Sequence, residues 1–334
     1  MKQYRIGILG ATGAVGREMM KVLEERKFPI SELRLLAGAG SAGKRISFMG
    51  KEHTVIQASE DAFEGLDIVL GAAENDIAMR FALAIVKAGA VFVDNSSAFR
   101  LYEDVPLVVS EINPEDVRKH RGIIANPNCT TIISLVALNA LNKESPIESI
   151  IASSYQAVSG AGAQGISELS EETAAIAAGE AVKPSVFPYQ IAYNVIPQIG
   201  GEAYMGYTSE EMKLQNEGRK ILHSPELKVS CTCVRVPVFR SHSVSLLIRT
   251  KEKISAARAR ELIAAAAGCR LTDDIANRVY PMPLDTSDQD LVYVGRIRDD
   301  LTDERGLNLW CCGDQLRKGA ATNAVQIAEI VAGL

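Results

Sequence analysis

Cys129 stands in the run Asn126-Pro127-Asn128-Cys129-Thr130-Thr131, after the apolar Gly122-Ile123-Ile124-Ala125 and before the helix-like Ile132-Ile133-Ser134-Leu135-Val136. A thiol placed where a strand ends and a helix begins meets unpaired backbone N–H groups, which lower its pKa and can hold a developing oxyanion. That is the setting of a nucleophilic cysteine. The alternative is a buried cysteine at a helix start, since free cysteine is commonly buried. Two other features weigh against that alternative, beginning with a glycine-rich loop at the amino terminus. Gly10, Gly13 and Gly16 follow the short apolar strand Ile6–Leu9 and open an amphipathic helix with Met19, Met20, Val22 and Leu23 on its inward face. The spacing is Gly-x-x-Gly-x-x-Gly, a variant of the dinucleotide fingerprint that brings phosphate to backbone amides at a helix amino end.

These residues need elements to hold them. Up to about residue 140, short apolar strands (Ile6–Leu9, Leu33–Ala37, Ile68–Leu70, Val91–Val93, Val108–Val109, Ile123–Ala125) alternate with helical or looped segments. Such alternation predicts an α/β unit, a doubly wound parallel sheet covered on both faces, with Cys129 at the carboxyl end of a strand, where such sheets bind ligands. Beyond about 145 the strands lengthen and become rich in β-branched residues: Ile150–Tyr155, Leu227–Val238, Ser243–Thr250, Leu291–Ile297 and Leu307–Cys312. With helices expected at Gly165–Ala178, Glu210–Leu222 and Ala256–Ala267, this half reads as an α+β domain with a mixed or antiparallel sheet covered on one side. A last helix, Leu316–Val331, is expected to pack back on the first domain.

The chain has 334 residues, 47% hydrophobic and 23% charged, with a formal net charge of −5. That is the make-up of a globular protein with room for two cores. No basic block or basic-aromatic stripe gives electrostatic support for nucleic-acid binding, so the expected partner is a small molecule. No apolar stretch approaches the ~20 residues of a membrane helix, and the start resembles no signal peptide, so a cytoplasmic location is expected. Cys231, Cys233, Cys269, Cys311 and Cys312 lack the paired spacing of a zinc site. No metal is expected. Cys231 and Cys233 would share one face of a strand and Cys311 and Cys312 would point to opposite faces, all four as packing residues.

A cysteine nucleophile beside a dinucleotide loop suits reversible acylating aldehyde chemistry, in which a thioester exchanges hydride with nicotinamide. Along nearly its whole length the chain resembles the aspartate-β-semialdehyde dehydrogenases. The resemblance rests on seven motifs: the 10–16 glycine loop, Asp94-Asn-Ser-Ser-Ala-Phe-Arg100, the 126–131 cysteine run, Ser154-Tyr-Gln-Ala-Val-Ser-Gly-Ala-Gly162, the 187–197 segment from Phe187 to Pro197, Glu210-Glu-Met-Lys213 and Arg235-Val-Pro-Val-Phe-Arg-Ser-His-Ser243. It implies a Rossmann-like NADP-binding domain over 1–128, a catalytic and dimerisation domain over 129–315, a returning helix over 316–334, and a homodimer.

By that resemblance Cys129 accepts the acyl group, His242 is the general acid/base and Gln156 orients the acyl group. Arg235 grips the substrate α-carboxylate, a planar group that suits the guanidinium fork. Glu210 meets the substrate amino group, while Lys213, Arg100 and Asn128 form the phosphate site; Glu210 and Lys213 could instead be a surface i,i+3 ion pair. Thr12, Gly13, Ala14 and Val15, between Gly10 and Gly16, match the pyrophosphate loop, and Ser159-Gly160 approach the nicotinamide. The implied reaction reduces L-aspartyl-4-phosphate to L-aspartate 4-semialdehyde, toward lysine, methionine and threonine.

No Asp or Glu closes the second strand at Leu35–Lys44, so a ribose 2′-phosphate would not be repelled and NADP is favoured. Gly40 stands where the family commonly has arginine, leaving Ser41 and Lys44 at that end of the cofactor. Gln315 replaces a usual asparagine near the cofactor. The related N-acetyl-γ-glutamyl-phosphate reductases usually read Asn-Pro-Gly-Cys-Tyr around the cysteine, unlike Asn128 and Thr130 here. An acyl-CoA reductase and a catalytically inactive paralogue are the remaining alternatives; the presence of both Cys129 and His242 argues against the latter.

Overall fold

The short apolar runs before residue 128 pair as parallel strands, because each is too apolar to leave either face in water. In this computed structural model, which describes residues 2–334, one unit runs to Asn128 and takes in Ala320–Leu334; the other is Cys129–Gly319. Met1, where the first expected domain begins, lies outside the described residues.

The first unit contains β1 (Tyr4–Leu9), α1 (Ala14–Glu25), β2 (Ile30–Ala37), β3 (Arg45–Phe48), β4 (Lys51–Thr54), β5 (Ile56–Gln57), β6 (Ile68–Gly71), α2 (Asn75–Lys87), β7 (Val91–Asp94) and β8 (Ile123–Ala125). Its six-stranded sheet has the order β5-β2-β1-β6-β7-β8, every pair parallel. The order reverses between β1 and β6, the switch point at which open α/β sheets bind ligands, and the glycine loop leaves β1 there. Ile6, Ile8 and Leu70 pack with Met19, Val22 and Leu23 of α1 in the buried core. Val108–Val109, expected as a strand, is fully buried but forms no strand ladder among the described residues; the preceding Leu107 makes an isolated bridge to Ala125. The Asn113 side chain accepts from Val109 N (2.9 Å) and donates to the Leu107 carbonyl (2.9 Å), meeting those backbone groups in place of a neighbouring strand.

The second unit contains α3 (Cys129–Glu144), β9 (Ile147–Gln156), α4 (Gly162–Ala178), β10 (Glu202–Tyr204), β11 (Tyr207–Thr208), α5 (Ser209–Ile221), β12 (Lys228–Arg235), β13 (His242–Thr250), α6 (Ala256–Ala264), β14 (Cys269–Leu271), α7 (Pro283–Thr286), β15 (Val292–Asp299) and β16 (Gly306–Gly313). Its main sheet has the order β12-β9-β13-β16-β15-β14, parallel at both edges and antiparallel between, the mixed sheet read from the sequence. Helix α3, buried over most of its length, packs on β9, β13, β15 and β16 between α5 and α6. The other face leaves Ile151 and Tyr155 exposed, with Tyr155 against Trp310 at 5.3 Å.

This topology brings distant residues together. β9 and β12 run parallel while β13 opposes β9, so Gln156 and Arg235, at two strand ends, lie beside His242, at a strand start; Arg235 is in register with Gln156, and His242 with Gly313 at the end of β16. Beyond β16 the chain makes a π-helical turn, Arg317–Ala321, before α8 (Thr322–Ala332), where one continuous α-helix from Leu316 was expected. Helix α8 joins the first unit's core through Ala324, Val325 and Ala328.

Candidate active site

In the first unit the glycine loop is closed by its own backbone. A Cβ at Gly16 would lie 2.4 Å from the Gly10 carbonyl oxygen, and Gly10, at φ +87°, would place one 2.4 Å from the Ala72 oxygen. Gly13 is the N-cap of α1, with no side chain capping it and no acidic residue in the first turn. The amides at Ala14 and Val15 are thus left to an external anion, and the loop fits a dinucleotide pyrophosphate. Thr12 Oγ1 and Lys44 Nζ both donate to Ser41 Oγ, at 3.4 and 3.3 Å. A Cβ added at Gly40, beside Ser41, would have nothing within 4 Å, so a larger side chain meets open space.

Arg100 and Asn128 are both buried. Arg100 donates from Nε to the Asn126 carbonyl (3.0 Å) and from Nη2 to that of Asn95 (2.7 Å), which ties the 94–100 motif to the segment leading into Asn128. Asp94, wholly buried, has its pKa raised by burial; the hydroxyl and amide of Ser96 and the charge of Arg100 oppose that rise.

In the second unit Cys129 is the first residue of α3 and partly exposed. Gln156 Nε2 donates to Oγ1 of the adjoining Thr130 (3.0 Å) and to Glu210 Oε1 (3.2 Å), and Lys213 Nζ donates to Glu210 Oε2 (2.8 Å). A capping box between Thr208 and Glu211 starts α5 and so puts Glu210 and Lys213 in its first turns. The Glu210–Lys213 pair is not an isolated surface pair, because buried Gln156 joins it.

Arg235 and His242 converge on a single residue. Arg235 Nη1 donates to the Ala157 carbonyl (2.7 Å), and the Ala157 N–H donates to His242 Nδ1 (3.1 Å). With Nδ1 an acceptor, the neutral imidazole carries its proton on Nε2. His242 Nε2 is buried and has no hydrogen-bond partner among the described residues. Burial first, then the positive charge of Arg235, push the pKa of His242 down to about 3, against the opposing charge of Glu210. A free imidazole titrates at about 6.5, and removal from water overrides that here. Burial also lowers the pKa of Arg235, while Cys129 and Glu210 favour its charged form.

Arg235 is further framed by the Phe187 ring, 5.8 Å from its guanidinium carbon, and by Gly160, where a Cβ would come 2.6 Å from Nη1 and 3.4 Å from His242 Cε1. Phe187 is held by Glu168 of α4, which accepts its amide at 3.1 Å. Gln315 Nε2 donates to Ser159 Oγ, and Gln315 Oε1 accepts from Ser241 N at 2.8 Å. The second-unit residues named from the sequence thus form one connected group. Phe187 and Ala157 lay within recognised motifs, but nothing in the sequence marked them as partners of Arg235. Cys231 and Cys233 share a buried face with sulfurs 3.8 Å apart, and burial pushes the thiols of Cys311 and Cys312 up.

Residues 5–120 match the family model described as semialdehyde dehydrogenase, NAD binding domain, and residues 138–318 match semialdehyde dehydrogenase, dimerisation domain. The class is therefore a semialdehyde dehydrogenase, an oxidoreductase using a nicotinamide nucleotide. The aspartate-semialdehyde dehydrogenase of Aquifex aeolicus is 49% identical over 332 residues, covering 98% of each chain. A Vibrio cholerae aspartate semialdehyde dehydrogenase II, solved in complex with ASA, is 42% identical with a TM-score of 0.97, covering 100% of this chain and 99% of that one. The Candida albicans enzyme solved with NADP shares the fold at 23% identity and a TM-score of 0.75, covering 99% of each chain. This chain belongs to the aspartate-semialdehyde dehydrogenase family.

With its pKa at about 3, His242 should stay neutral through the range where a solvated imidazole titrates. Unfolding then binds a proton that the folded ring refuses, so stability should fall by ~1.4 kcal/mol per pH unit as pH drops below the unfolded pKa of about 6.5, and level off below about 3. Following the His242 ring resonances by NMR checks this; a titration centred near pH 6.5 would contradict it.

Proposed function

We propose that this enzyme reduces L-aspartyl-4-phosphate with NADPH to L-aspartate 4-semialdehyde and inorganic phosphate through a thioester on Cys129. The observation that carries the reading is the pairing of Arg235 and His242 through Ala157, beside a cysteine that starts a buried helix. In this reading Arg235 grips the α-carboxylate, Glu210 meets the amino group, Gln156 orients the acyl group, and Lys213, Arg100 and Asn128 take the phosphate.

The sulfur of Cys129 attacks the acyl carbon, the bond to phosphate breaks, and phosphate leaves. The bound nucleotide supplies the hydride that reduces the thioester. His242 then donates a hydrogen bond from Nε2 to the oxyanion of the thiohemiacetal as it forms, and the oxyanion collapses to the aldehyde as the C–S bond breaks and the Cys129 thiolate leaves. Because Nε2 already carries a proton, His242 is not the base that ionises Cys129. The thiolate is favoured instead by the α3 amino end and the charge of Arg235.

NADP over NAD is supported by the lack of an acidic residue at the end of β2 and by the Ser41–Lys44 pair. The 10–16 loop would hold the pyrophosphate, with Ser159, Gly160 and Gln315 at the nicotinamide. The exposed Ile151 and Tyr155 face supports a homodimer through the second unit. A place in lysine (through diaminopimelate), methionine and threonine biosynthesis, in the cytoplasm, belongs to the same reading.

Arg235→Lys keeps the charge but loses the fork, and should lower kcat/KM for aspartate semialdehyde by ~1.5–3 kcal/mol, roughly ten-fold and upward, with NADP affinity intact. Unchanged turnover would overturn the substrate assignment and make N-acetylglutamate semialdehyde or an acyl-CoA the next substrate to assay. Gly40→Arg, entering open space, should raise the ratio of kcat/KM for NADP to that for NAD. A ratio that stays the same or falls would show that this turn does not read the 2′-phosphate.

A further inference from the structure

Asp314, the residue after β16, is wholly buried. Its Oδ1 accepts the amides of Leu316 (2.8 Å) and Arg317 (3.1 Å), and its Oδ2 accepts Arg240 Nε (2.5 Å) and the amide of Asp288 (2.7 Å). Four donors on one carboxylate offset the cost of burying its charge. Its backbone carbonyl accepts Gly319 N at 3.0 Å, five residues on, within the π-helical turn.

Two paths leave this carboxylate. Along the first, the π turn lays Gly319 against the nucleophile: a Cβ there would lie 2.8 Å from Cys129 Cβ and 3.2 Å from its Cα. Along the second, Arg240 stands two residues before His242, and Ser241 between them is held at φ +73°, a left-handed conformation unusual outside glycine. Such strain persists only where the surroundings enforce it. Here they do so through Arg240 on Asp314 and through the Ser241 amide on Gln315, the neighbour of Asp314.

We propose that Asp314 is a positioning residue that sets the Cys129 thiol and the His242 ring at the same time. The proposal rests on reading Cys129 as nucleophile and His242 as proton donor. It adds that neither is placed independently of the other.

Asp314→Asn is nearly isosteric, but its amide can accept on one side only and sets N–H groups against those of Arg240 or of the 316–317 turn. In the full-length protein, kcat and the rate of Cys129 alkylation by iodoacetamide should both fall, by up to about a hundred-fold for a displacement near 1 Å. The His242 ring resonances should shift as well. Gly319→Ala disturbs only the first path, so it should slow alkylation and kcat while leaving the His242 resonances in place. If Asp314→Asn does not fold, Arg240→Lys tests the second path alone: it should shift His242 and lower kcat with alkylation little changed. A folded Asp314→Asn enzyme that loses only thermal stability, with alkylation rate and His242 resonances unchanged, would overturn the proposal. Cys129→Ala separates the two readings: turnover without Cys129 would refute the nucleophile, whereas the alkylation and NMR results bear on Asp314 alone.

Discussion

The proposed chemistry rests on the backbone of Ala157. Its carbonyl holds Arg235 and its amide holds His242, so the proposed carboxylate grip and proton donor are fixed to the same residue by main-chain groups that no side-chain substitution there can remove. Ala157 directly follows β9, the strand flanked by β12 and β13, and those two strands deliver Arg235 and His242. The mixed sheet is therefore a positioning device. Edge strand β12 set antiparallel to β9, or β13 set parallel to it, would send these residues to opposite ends.

That arrangement has an electrostatic consequence. Placing a guanidinium and an imidazole on one residue, away from water, keeps the imidazole neutral and its proton on Nε2. A neutral donor can bond a developing oxyanion without a protonation step of its own. Glu210 supplies the compensating negative charge, acting on both groups while tied to Lys213 and Gln156. Removing Glu210 would leave the buried cation of Arg235 less balanced, so its part in the site is electrostatic as well as one of contact.

Much of this was legible in the sequence because it lies in contiguous motifs with a strong local signal. The strand, glycine loop and α1 helix were readable from periodicity, and Cys129 from its place between a strand and a helix, whereas Gln156, Arg235 and His242 were picked out only by the family motifs that contain them. The β3–β4 hairpin was not, since Arg45–Phe48 and Lys51–Thr54 are short and mostly exposed. Val108–Val109 has the apolarity of a strand, but Asn113, whose role no local pattern announces, takes its backbone partners. The π turn at Arg317–Ala321 and the Asp314–Arg240 pair, 74 residues apart in sequence, depend on tertiary contacts that periodicity does not carry. The lowered pKa of His242 likewise follows from burial, which a residue type cannot reveal.

The central claim is that the acyl group passes through Cys129. Incubating the enzyme with aspartate semialdehyde and NADP while withholding phosphate should halt the reverse reaction at the acyl-enzyme, because the group that normally cleaves the thioester is missing. Acid quenching followed by peptide mass spectrometry should then find one aspartyl acyl group on the peptide containing Cys129, released when phosphate is added before the quench. Acylation at another residue, or steady NADPH formation with Cys129 never modified, would contradict the account.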